Sequence, residues 1–328
     1  MSITITGGIS FSGGVGIVSA PPSDNTAGWF GGGSTGGGVT VQRIIFATDT
    51  ATATVRGPLA EDKYNAAATG NFTDGYFGGG QTGYSSSVNR ITYATDTATA
   101  SIRGALTIGR AQLAATGTQN YGWFAGGFTG PSIVATVDRV TFATDTTTAS
   151  GRGPLSAGYR GLSATSDGTT YGWYIGGTPQ TSGSFGTSTV QRITFANDTG
   201  SSSIRGSLSA GNYGTVGGKY FGAATGNSDY GWVFGGFSPS NNITSTVQRI
   251  DYANDTASSS VRGPLLGEVV QSAAVTSNSY GWNGGGLEGG ASSATINRIT
   301  YATDTTSATN RGPLSAAQRY LSATSGIQ

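Results

Sequence analysis

The stretch from Tyr171 to Leu208 decides the fold. It begins YGWYIGG, passes through a Ser/Thr-rich segment to VQRITFANDT, and ends SSSIRGSL. Versions of this stretch occur six times, and the Arg of its second element recurs after 47, 49, 53, 57 and 49 residues. A period of about 50 residues built from short β-type segments is typical of propeller blades and other repeat arrays. The chain is therefore interpreted as an array of six repeats.

Each repeat supplies four predicted strands, which we name B, C, D and A in chain order. The repeats begin with a B strand and end with an A strand, so Leu321 to Ser325 is an A strand without B, C or D strands of its own. The first repeat, in turn, has no A strand, and pairing the two would close a ring. The sequence predicts an all-β, six-bladed propeller of four-stranded antiparallel blades over residues 26–328, closed by its C-terminal strand.

Residues 1–25 differ from the repeats. The segments ITIT and ISFS flank a Gly-Gly pair, and Asp24 is the only charged side chain before Arg43. An uncharged, strand-forming segment that is too small to bury its own apolar side is expected to dock on another surface. We predict that residues 1–25 form a short β-type anchoring arm. A disordered leader is the alternative, because chain termini are commonly untethered.

Composition excludes several classes of function. The net charge is +1 and the chain has only two Lys residues, so no basic tract is present and nucleic acid is not an expected partner. No apolar run approaches the roughly 20 residues of a membrane span, and the start lacks the features of a secretion signal. The protein is expected to be soluble, without membrane insertion. His and Cys are both absent, which removes Ser-His-Asp triads, thiol nucleophiles and the usual zinc, copper and haem ligands. No metal or other cofactor is expected.

Twelve of the fifteen Arg residues flank the six turns between strands C and D. In every repeat the two Arg lie at equal distances from an Asp-Thr pair, which predicts a symmetric hairpin with Ile44 opposite Val55 and Arg43 opposite Arg56. Facing guanidinium groups need acceptors, which we expect to be carbonyls or hydroxyls of the adjoining blade. A ring of Arg that binds an anion is the alternative. The twelve are Arg43, Arg56, Arg90, Arg103, Arg139, Arg152, Arg192, Arg205, Arg249, Arg262, Arg298 and Arg311.

The Asp-Thr pairs and the aromatic B strands also have two interpretations. An Asp in a tight turn can accept a hydrogen bond from its own backbone two residues on. Calcium is the alternative, although one carboxylate per turn is fewer than the six to eight oxygens that this ion needs. The aromatic residues before Gly-Gly are interpreted as blade packing, with sugar platforms as the alternative. The six Asp are Asp49, Asp96, Asp145, Asp198, Asp255 and Asp304.

The repeat resembles the kelch type of β-propeller. In the fourth repeat Arg160, LSAT, YGWYIGG and VQRITFANDT follow one another in the kelch order, and Arg110 and Arg319 match Arg160 in two other repeats. Kelch repeats carry a Trp shortly after the turn, whereas strand D of this chain has Val, Ile, Gly or Asn before Arg-Gly. The resemblance implies a closed ring of blades.

A narrower resemblance covers most of the chain. YGWFxGG, V-x-R-I-x-[FY]-A-[TN]-D-T, RGPLS and the ITITGGISFSGG start resemble repeat proteins encoded by marine cyanophages and related tailed phages. This resemblance implies a virion component with a structural or attachment role, such as a tail fibre, tail-associated or capsid-decorating protein. The propeller would then be exposed on the phage particle, and the arm would dock on a neighbouring virion protein.

Two other functions are weighed against this role. A carbohydrate-binding propeller that recognises host surface glycans is the closer alternative. An enzyme is not expected, since Glu61, Glu268 and Glu288 are the only Glu residues and none forms a recognisable acid/base pair. No catalytic residue is nominated.

The variable loops predict where binding takes place. In a blade with strand A innermost, the B-C and D-A connections emerge on one face of the disc. The B-C segments hold 7, 7, 9, 12, 10 and 9 residues, and loops that vary in length within a repeat array commonly carry recognition. Plain spacer loops are the alternative. The candidate binding residues on this face, centred on the fourth and fifth blades, are Tyr84, Phe128, Phe185, Tyr213 and Phe237.

Overall fold

The computed structural model describes residues 26–34, 38–180, 186–209 and 218–326. The predicted arm, residues 1–25, lies outside the described residues. Six four-stranded antiparallel sheets, each in the order A-B-C-D, form the blades of a propeller. The predicted six-bladed fold is therefore confirmed.

The first three blades contain the following strands, in the order A to D. Blade 1 contains Leu321–Ser325, Ala27–Gly32, Val41–Ile45 and Thr54–Val55. Blade 2 contains Ala67–Gly70, Asp74–Gly78, Val88–Thr92 and Ser101–Arg103. Blade 3 contains Ala114–Gly117, Tyr121–Ala125, Val137–Thr141 and Ser150–Arg152.

The other three blades follow the same order. Blade 4 contains Arg160–Ser166, Tyr171–Thr178, Thr189–Thr194 and Ser203–Ser207. Blade 5 contains Ala223–Gly226, Tyr230–Phe234, Val247–Asp251 and Ser260–Arg262. Blade 6 contains Ala273–Thr276, Tyr280–Gly284, Ile296–Thr300 and Thr309–Arg311, with an added hairpin of Leu287–Glu288 and Ala291–Ser292. Short 3-10 helices follow five C strands, at Phe46–Thr48, Tyr93–Thr95, Phe142–Thr144, Phe195–Asn197 and Tyr301–Thr303.

The ring closes through the last strand. Strand Leu321–Ser325 pairs antiparallel with Ala27–Gly32, and Trp29 lies opposite Thr324 in this register. The first blade thus obtains its innermost strand from the C-terminus of the chain, as predicted. Closure leaves blade 1 without an open B edge, which would otherwise be available to pair with other chains.

The six A strands surround the axis of the disc, and each contacts the A strands of both neighbouring blades. They are built mostly from Ala, Ser, Thr and Gly, and they line a narrow channel of about 130 Å³. Small side chains allow six strands to converge on one axis. The large aromatic residues of the B strands lie further out, where Trp123, Trp173, Trp232 and Trp282 are fully buried.

The C-D register differs from the predicted symmetric hairpin. Arg43 pairs with Thr54, and Val55 pairs with Gln42, so the register is shifted by two residues and Arg43 does not face Arg56. Strand C ends at Ile45, and the following residues form a 3-10 helix instead of continuing the ladder. The predicted pairing of Ile44 with Val55 is wrong for the same reason, and Val55 is instead 60% exposed at the rim.

Each interface between blades is centred on one Asp carboxylate. Asp96 of blade 2 accepts hydrogen bonds from blade 1, from Trp29 Nε1 at 2.8 Å and from an Arg43 guanidinium nitrogen at 2.9 Å, and Arg56 Nε lies 3.5 Å from the same oxygen. The expectation that carbonyls or hydroxyls would accept from the Arg pairs is therefore wrong, because a carboxylate binds guanidinium groups more strongly.

The same arrangement repeats around the ring. Asp198, Asp255, Asp304 and Asp49 each accept from the Trp of the preceding blade at 2.8–2.9 Å and from its strand C Arg at 3.0 Å. Asp145 accepts from the Tyr76 hydroxyl in place of an indole, at 3.1 Å. These carboxylates are filled by donors of the preceding blade, so neither the self-bonding turn nor the calcium alternative describes their role.

Glycine after the strand D Arg permits this close contact. Gly57 donates its N–H to the Asp96 carbonyl at 2.8 Å, and a Cβ on Gly57 would lie 2.0 Å from the Ala98 carbonyl oxygen. Any larger residue would push the two blades apart. The Arg-Gly pair of the repeat is therefore an inter-blade motif.

The ring also has an internal two-fold similarity that relates blades 1–3 to blades 4–6. Lys63 corresponds to Lys219, Gln112 to Gln271 and Arg160 to Arg319, at separations of 156, 159 and 159 residues. The outward-facing residues just before the strand D Arg also match between the two halves. They are the exposed Val55, Ile102, Ile204 and Val261 in blades 1, 2, 4 and 5, and Gly151 and Asn310 in blades 3 and 6.

We expect removal of residues 319–328 to abolish cooperative folding. The truncation deletes the A strand of blade 1 and leaves its B strand with an unpaired edge, which recruits other chains. Thermal unfolding followed by circular dichroism should lose its sharp transition, and size-exclusion chromatography should show aggregation. Unchanged melting and solubility of the truncated protein would contradict closure by this strand.

Candidate functional site

A closed ring of backbone hydrogen bonds surrounds one mouth of the channel. One residue near the start of each A strand contributes to it, and each donates its N–H to the carbonyl of the equivalent residue in the neighbouring blade at 2.7–3.1 Å. All six have left-handed backbones, with φ between 54° and 65°. We call these residues the mouth ring: Asn65, Gln112, Gly161, Phe221, Gln271 and Tyr320.

The left-handed conformation turns each peptide group toward its neighbours around the axis. Five of the six residues are not glycine, and this conformation is uncommon for bulky residues. The ring encloses a small cavity of about 70 Å³ above the channel. Sequence reasoning missed it, although a signal existed, since five of the six residues lie six positions after the buried Leu of the D-A segment, as Gln112 does after Leu106.

A buried position two residues before the mouth ring holds three of the cations. Its carbonyl accepts from a Gly N–H at the end of strand B, as Arg110 O accepts from Gly80 N and Tyr159 O accepts from Gly127 N. Arg110 therefore corresponds to Tyr159, and the predicted match of Arg110 with Arg160 is wrong by one residue. The position holds Lys63, Arg110 and Lys219 in blades 2, 3 and 5.

Two of these cations are paired with carboxylates. Lys63 Nζ lies 3.1 Å from Glu61 and donates to the carbonyls of Gly79 and Ser87, while Arg110 donates to Asp138 at 2.7 Å. Each cation ties its D-A segment to its own blade. Burying a charged side chain without a partner of opposite charge costs folding free energy, so such a side chain is usually paired with a carboxylate.

Lys219 has only neutral acceptors among the described residues. Its Nζ donates to the Gly235 carbonyl at 2.6 Å and to Thr244 Oγ1 at 2.8 Å. Burial lowers the pKa of Lys219 from 10.5 to about 7, because removal from water disfavours the charged amine. Lys219 is one of the two Lys residues of the chain, and this small number is what excluded a basic tract.

Three side chains meet beside the mouth ring at blades 2 to 4. The Tyr84 and Phe128 rings make a T-shaped contact with centroids 5.6 Å apart, and the Arg160 guanidinium carbon lies 5.4 Å from the centre of the Phe128 ring. Arg160 also donates to the Gln112 side chain at 3.1 Å and to the Gln180 carbonyl at 2.9 Å. The structure therefore places two of the five predicted binding residues, Tyr84 and Phe128, in direct contact.

A second aromatic pair continues this surface toward blade 5. Tyr220 stacks on Phe237 at 5.0 Å, and the Tyr220 hydroxyl donates to Asn241. Burial lowers the pKa of Arg160, and the neighbouring Tyr220 and Tyr84 oppose this shift. We call Tyr84, Phe128, Arg160, Tyr220 and Phe237 the Arg160 cluster. The predicted residues Phe185 and Tyr213 lie outside the described part of the chain.

Across the mouth a smaller aromatic group lies around Arg319. The guanidinium carbon of Arg319 is 5.3 Å from the centre of the Tyr320 ring, and Tyr64 meets Tyr320 at 6.5 Å. Sequence reasoning did not select Tyr64, Tyr220 or Tyr320, because these residues lie in D-A segments and most of the selected residues came from the B-C loops.

Carboxylates do not gather into a metal site in the described ranges, where no group of three or more His, Cys, Asp or Glu residues could hold an ion. Glu61 is occupied by Lys63, and Glu288 accepts from Ser293 at 2.9 Å. In the same ranges, no helix has the length and hydrophobicity that crossing a membrane would require.

Comparison with known proteins shows the fold alone. No family model matches the chain, and no curated protein matches it. Among 356 matching chains of solved structures is one titled "Structure of YjhT", which is similar with a TM-score of 0.69 and 14% sequence identity. The match covers 88% of this chain and 95% of that one. A propeller fold hosts many unrelated functions, so function has to be argued from the site.

Lys219 should make stability depend on pH. Its pKa of about 7 in the folded protein lies below the ordinary value of 10.5, so between these values the unfolded chain binds more protons than the folded one. Stability should therefore rise with pH in this window and be lowest at and below pH 7. We expect the urea unfolding midpoint to increase from pH 7 to pH 9.5.

Lys219→Met should remove most of that increase. Lys63, whose pKa is also lowered by burial, remains and leaves a smaller slope of the same sign. An unchanged slope in the variant would show that Lys219 is not the titrating group. Lys219→Arg serves as the control, because an Arg stays charged across this window and should lower stability without restoring the slope.

Proposed function

We propose that this protein is a non-enzymatic structural and attachment component of a tailed-phage particle, which binds a partner through the face that carries the mouth ring. The Arg160 cluster is the observation that carries the proposal. It brings together on one face the half-buried rings of Tyr84, Phe128 and Phe237 and the guanidinium group of Arg160, with the buried Tyr220 stacked against Phe237. Aromatic residues and Arg dominate the energetically important centres of protein interfaces.

The phage context rests on the sequence resemblance, and the rim of the disc is consistent with it. Val55, Ile102, Ile204 and Val261 expose 42–64% of their surface on the outer strands, in two pairs on opposite sides of the ring. Apolar side chains on outer strands suit contact with neighbouring proteins. A component of a particle would contact neighbouring virion proteins through these outer strands and its attachment partner through the face that carries the mouth ring.

A binding role is favoured over catalysis by the chemistry of the face. On the face itself, Arg160 donates to Gln112 and Gln180, and below it the buried Lys63 and Arg110 are paired with Glu61 and Asp138. The chain has no His or Cys to act as general base or nucleophile. Lys219 has the pKa of a possible base, but its amine is buried and bonded to Gly235 and Thr244.

A carbohydrate-binding propeller is the second candidate. Phe128 and Tyr84 are half-buried beside the polar groups of Arg160 and Gln112. An aromatic ring next to fixed hydrogen-bonding groups is suited to a sugar as well as to a neutral protein surface. On a phage particle the two roles coincide when the attachment target is a host surface glycan.

We expect the combined change Tyr84→Asn, Phe128→Ser and Phe237→Ser to leave folding intact and to reduce binding to host cells at least tenfold. Asn is chosen at position 84 because the backbone there is left-handed, with φ of 52°. Binding of labelled protein to intact host cells measures the effect, with melting temperature as the check on folding.

The matched control changes the opposite face by Thr50→Ala, Thr97→Ala and Thr146→Ala, at exposed positions of the C-D turns. This variant should bind as the unchanged protein does. Loss of binding in the control together with retention in the aromatic variant would move the attachment surface to the other side of the disc.

The arm is expected to anchor the protein. Removing residues 1–22 should leave a folded propeller, because all six blades lie downstream, and should abolish incorporation into particles. Strand addition to the sheet edge of a virion protein is the proposed mode. Mass spectrometry of purified virions, with and without the arm, measures incorporation. Normal incorporation of the shortened protein would show that the anchor lies elsewhere.

A further inference from the structure

A cavity of about 480 Å³ lies between blades 5 and 6, on the face opposite the mouth ring. We call it the Tyr280 groove. Its walls are formed by Tyr230 and Tyr280, the first residues of the two B strands, and its rim by Asn278, Ser279 and Thr300. Its volume lies within the range of small-molecule sites, about 300–1,000 Å³.

The aromatic walls of the groove are held rigidly. The guanidinium carbon of Arg249 lies 4.3 Å from the centre of the Tyr230 ring, and Arg298 lies at the same distance from Tyr280. Each of these Arg residues is fixed in turn by an inter-blade carboxylate, Asp304 or Asp49. Tyr230 also packs edge-on against Trp232 at 5.8 Å. Walls fixed before binding lose little entropy when a ligand arrives.

The floor of the groove is aromatic as well. Trp232 of blade 5 and Tyr301 of blade 6 stack across the blade interface at 3.9 Å with an interplanar angle of 9°. The Tyr301 hydroxyl is hydrogen-bonded to Thr276 at 2.6 Å. Both residues are almost completely buried, so the shape of the floor follows from the blade interface itself.

The residues that line the rim are polar and uncharged. The A-B turn of blade 6 is closed by Ser277, whose Oγ accepts from Tyr280 N at 3.2 Å, which leaves the Asn278 carboxamide exposed beside the groove. The corresponding turn of blade 4 is one residue longer and is closed by a carboxylate, since Asp167 accepts from Thr169, Thr170 and Tyr171. Blade 6 thus offers a shorter, neutral turn.

We propose that the Tyr280 groove binds a neutral sugar residue of a glycan. The residues that line the groove are uncharged, and the Arg249 and Arg298 groups that stack on its Tyr walls are paired with Asp304 and Asp49, which disfavours a strongly charged ligand. Tyrosine rings suit the apolar face of a sugar ring, and the carboxamide and hydroxyl groups of the rim suit its hydroxyls. This site lies on the other face from the Arg160 cluster, so it does not depend on the function proposed above.

The site is tested on the full chain with an array of neutral and acidic glycans, followed by calorimetric titration of the neutral glycans that are retained. Tyr280→Ala should weaken their binding about tenfold through loss of a stacked ring. The variant should fold, because blade 1 has Ala27 at the equivalent strand position, opposite Ile45 as Tyr280 is opposite Thr300. A second variant, Ser279→Trp, should fill the groove and abolish binding.

The matched control is Tyr121→Ala, which removes the equivalent Tyr–Arg stack in blade 3, outside the groove. It should leave the affinity unchanged, and so should the aromatic variant of the mouth face. The proposal is overturned if no neutral glycan is retained, if acidic glycans or a protein occupy the groove instead, or if Tyr121→Ala weakens binding as much as Tyr280→Ala does.

Discussion

The fold depends on six carboxylates that each join two blades. Each of the Asp residues at the C-D turns is 5–7% exposed and takes donors from the preceding blade, as Asp198 does from Trp123, Arg139 and Arg152. Removing one buried partner of such a group leaves the others uncompensated, at a cost of about 3–5 kcal/mol. Since the interfaces form a closed ring, no blade can shift without disturbing both of its neighbours. The Trp indole, the two Arg and the following Gly are repeated because one interface is repeated.

The repeat pattern was sufficient to predict the blades, their strand order and the closing strand, because each of these follows from residues that recur at a fixed period. It was not sufficient for the partners of the Arg residues. Arg43 and Arg56 flank Asp49 in sequence, yet both contact Asp96, 53 and 40 residues further along the chain. A pattern within one repeat cannot show that its donors and its acceptor serve different interfaces. The 3-10 helix at Phe46–Thr48 caused the register error. It ends strand C early without changing the number of residues between the two Arg, so the sequence spacing gave no sign of it.

The candidate site was less predictable than the fold, for two physical reasons. The mouth ring requires left-handed backbones at residues such as Phe221 and Tyr320. Sequence analysis expects this conformation at glycine and does not expect it at aromatic residues. The Arg160 cluster takes its members from five separate segments of the chain, whose proximity follows only from the curvature of the ring. Tyr84, Phe128 and Phe237 were accessible to prediction because they are aromatic residues in loops of variable length. Tyr220 was not predicted, because it lies in a D-A segment whose other residues suggest only a connecting loop.

The two halves of the ring differ where binding is proposed. The interface motif is the same in both halves, which leaves the loops and A-B turns as the positions free to vary. Arg160 and Arg319 correspond to each other, but Phe128, which lies beside Arg160, corresponds to Leu287. Likewise Lys63 has the carboxylate of Glu61, whereas Lys219 bonds to neutral oxygens in the described part of the chain. A ring with two equivalent halves would present the same side chains on both sides of the mouth, and these differences make the two sides unequal. For the partner proposed above, we therefore expect contact on the side of the mouth that lies over blades 2 to 5.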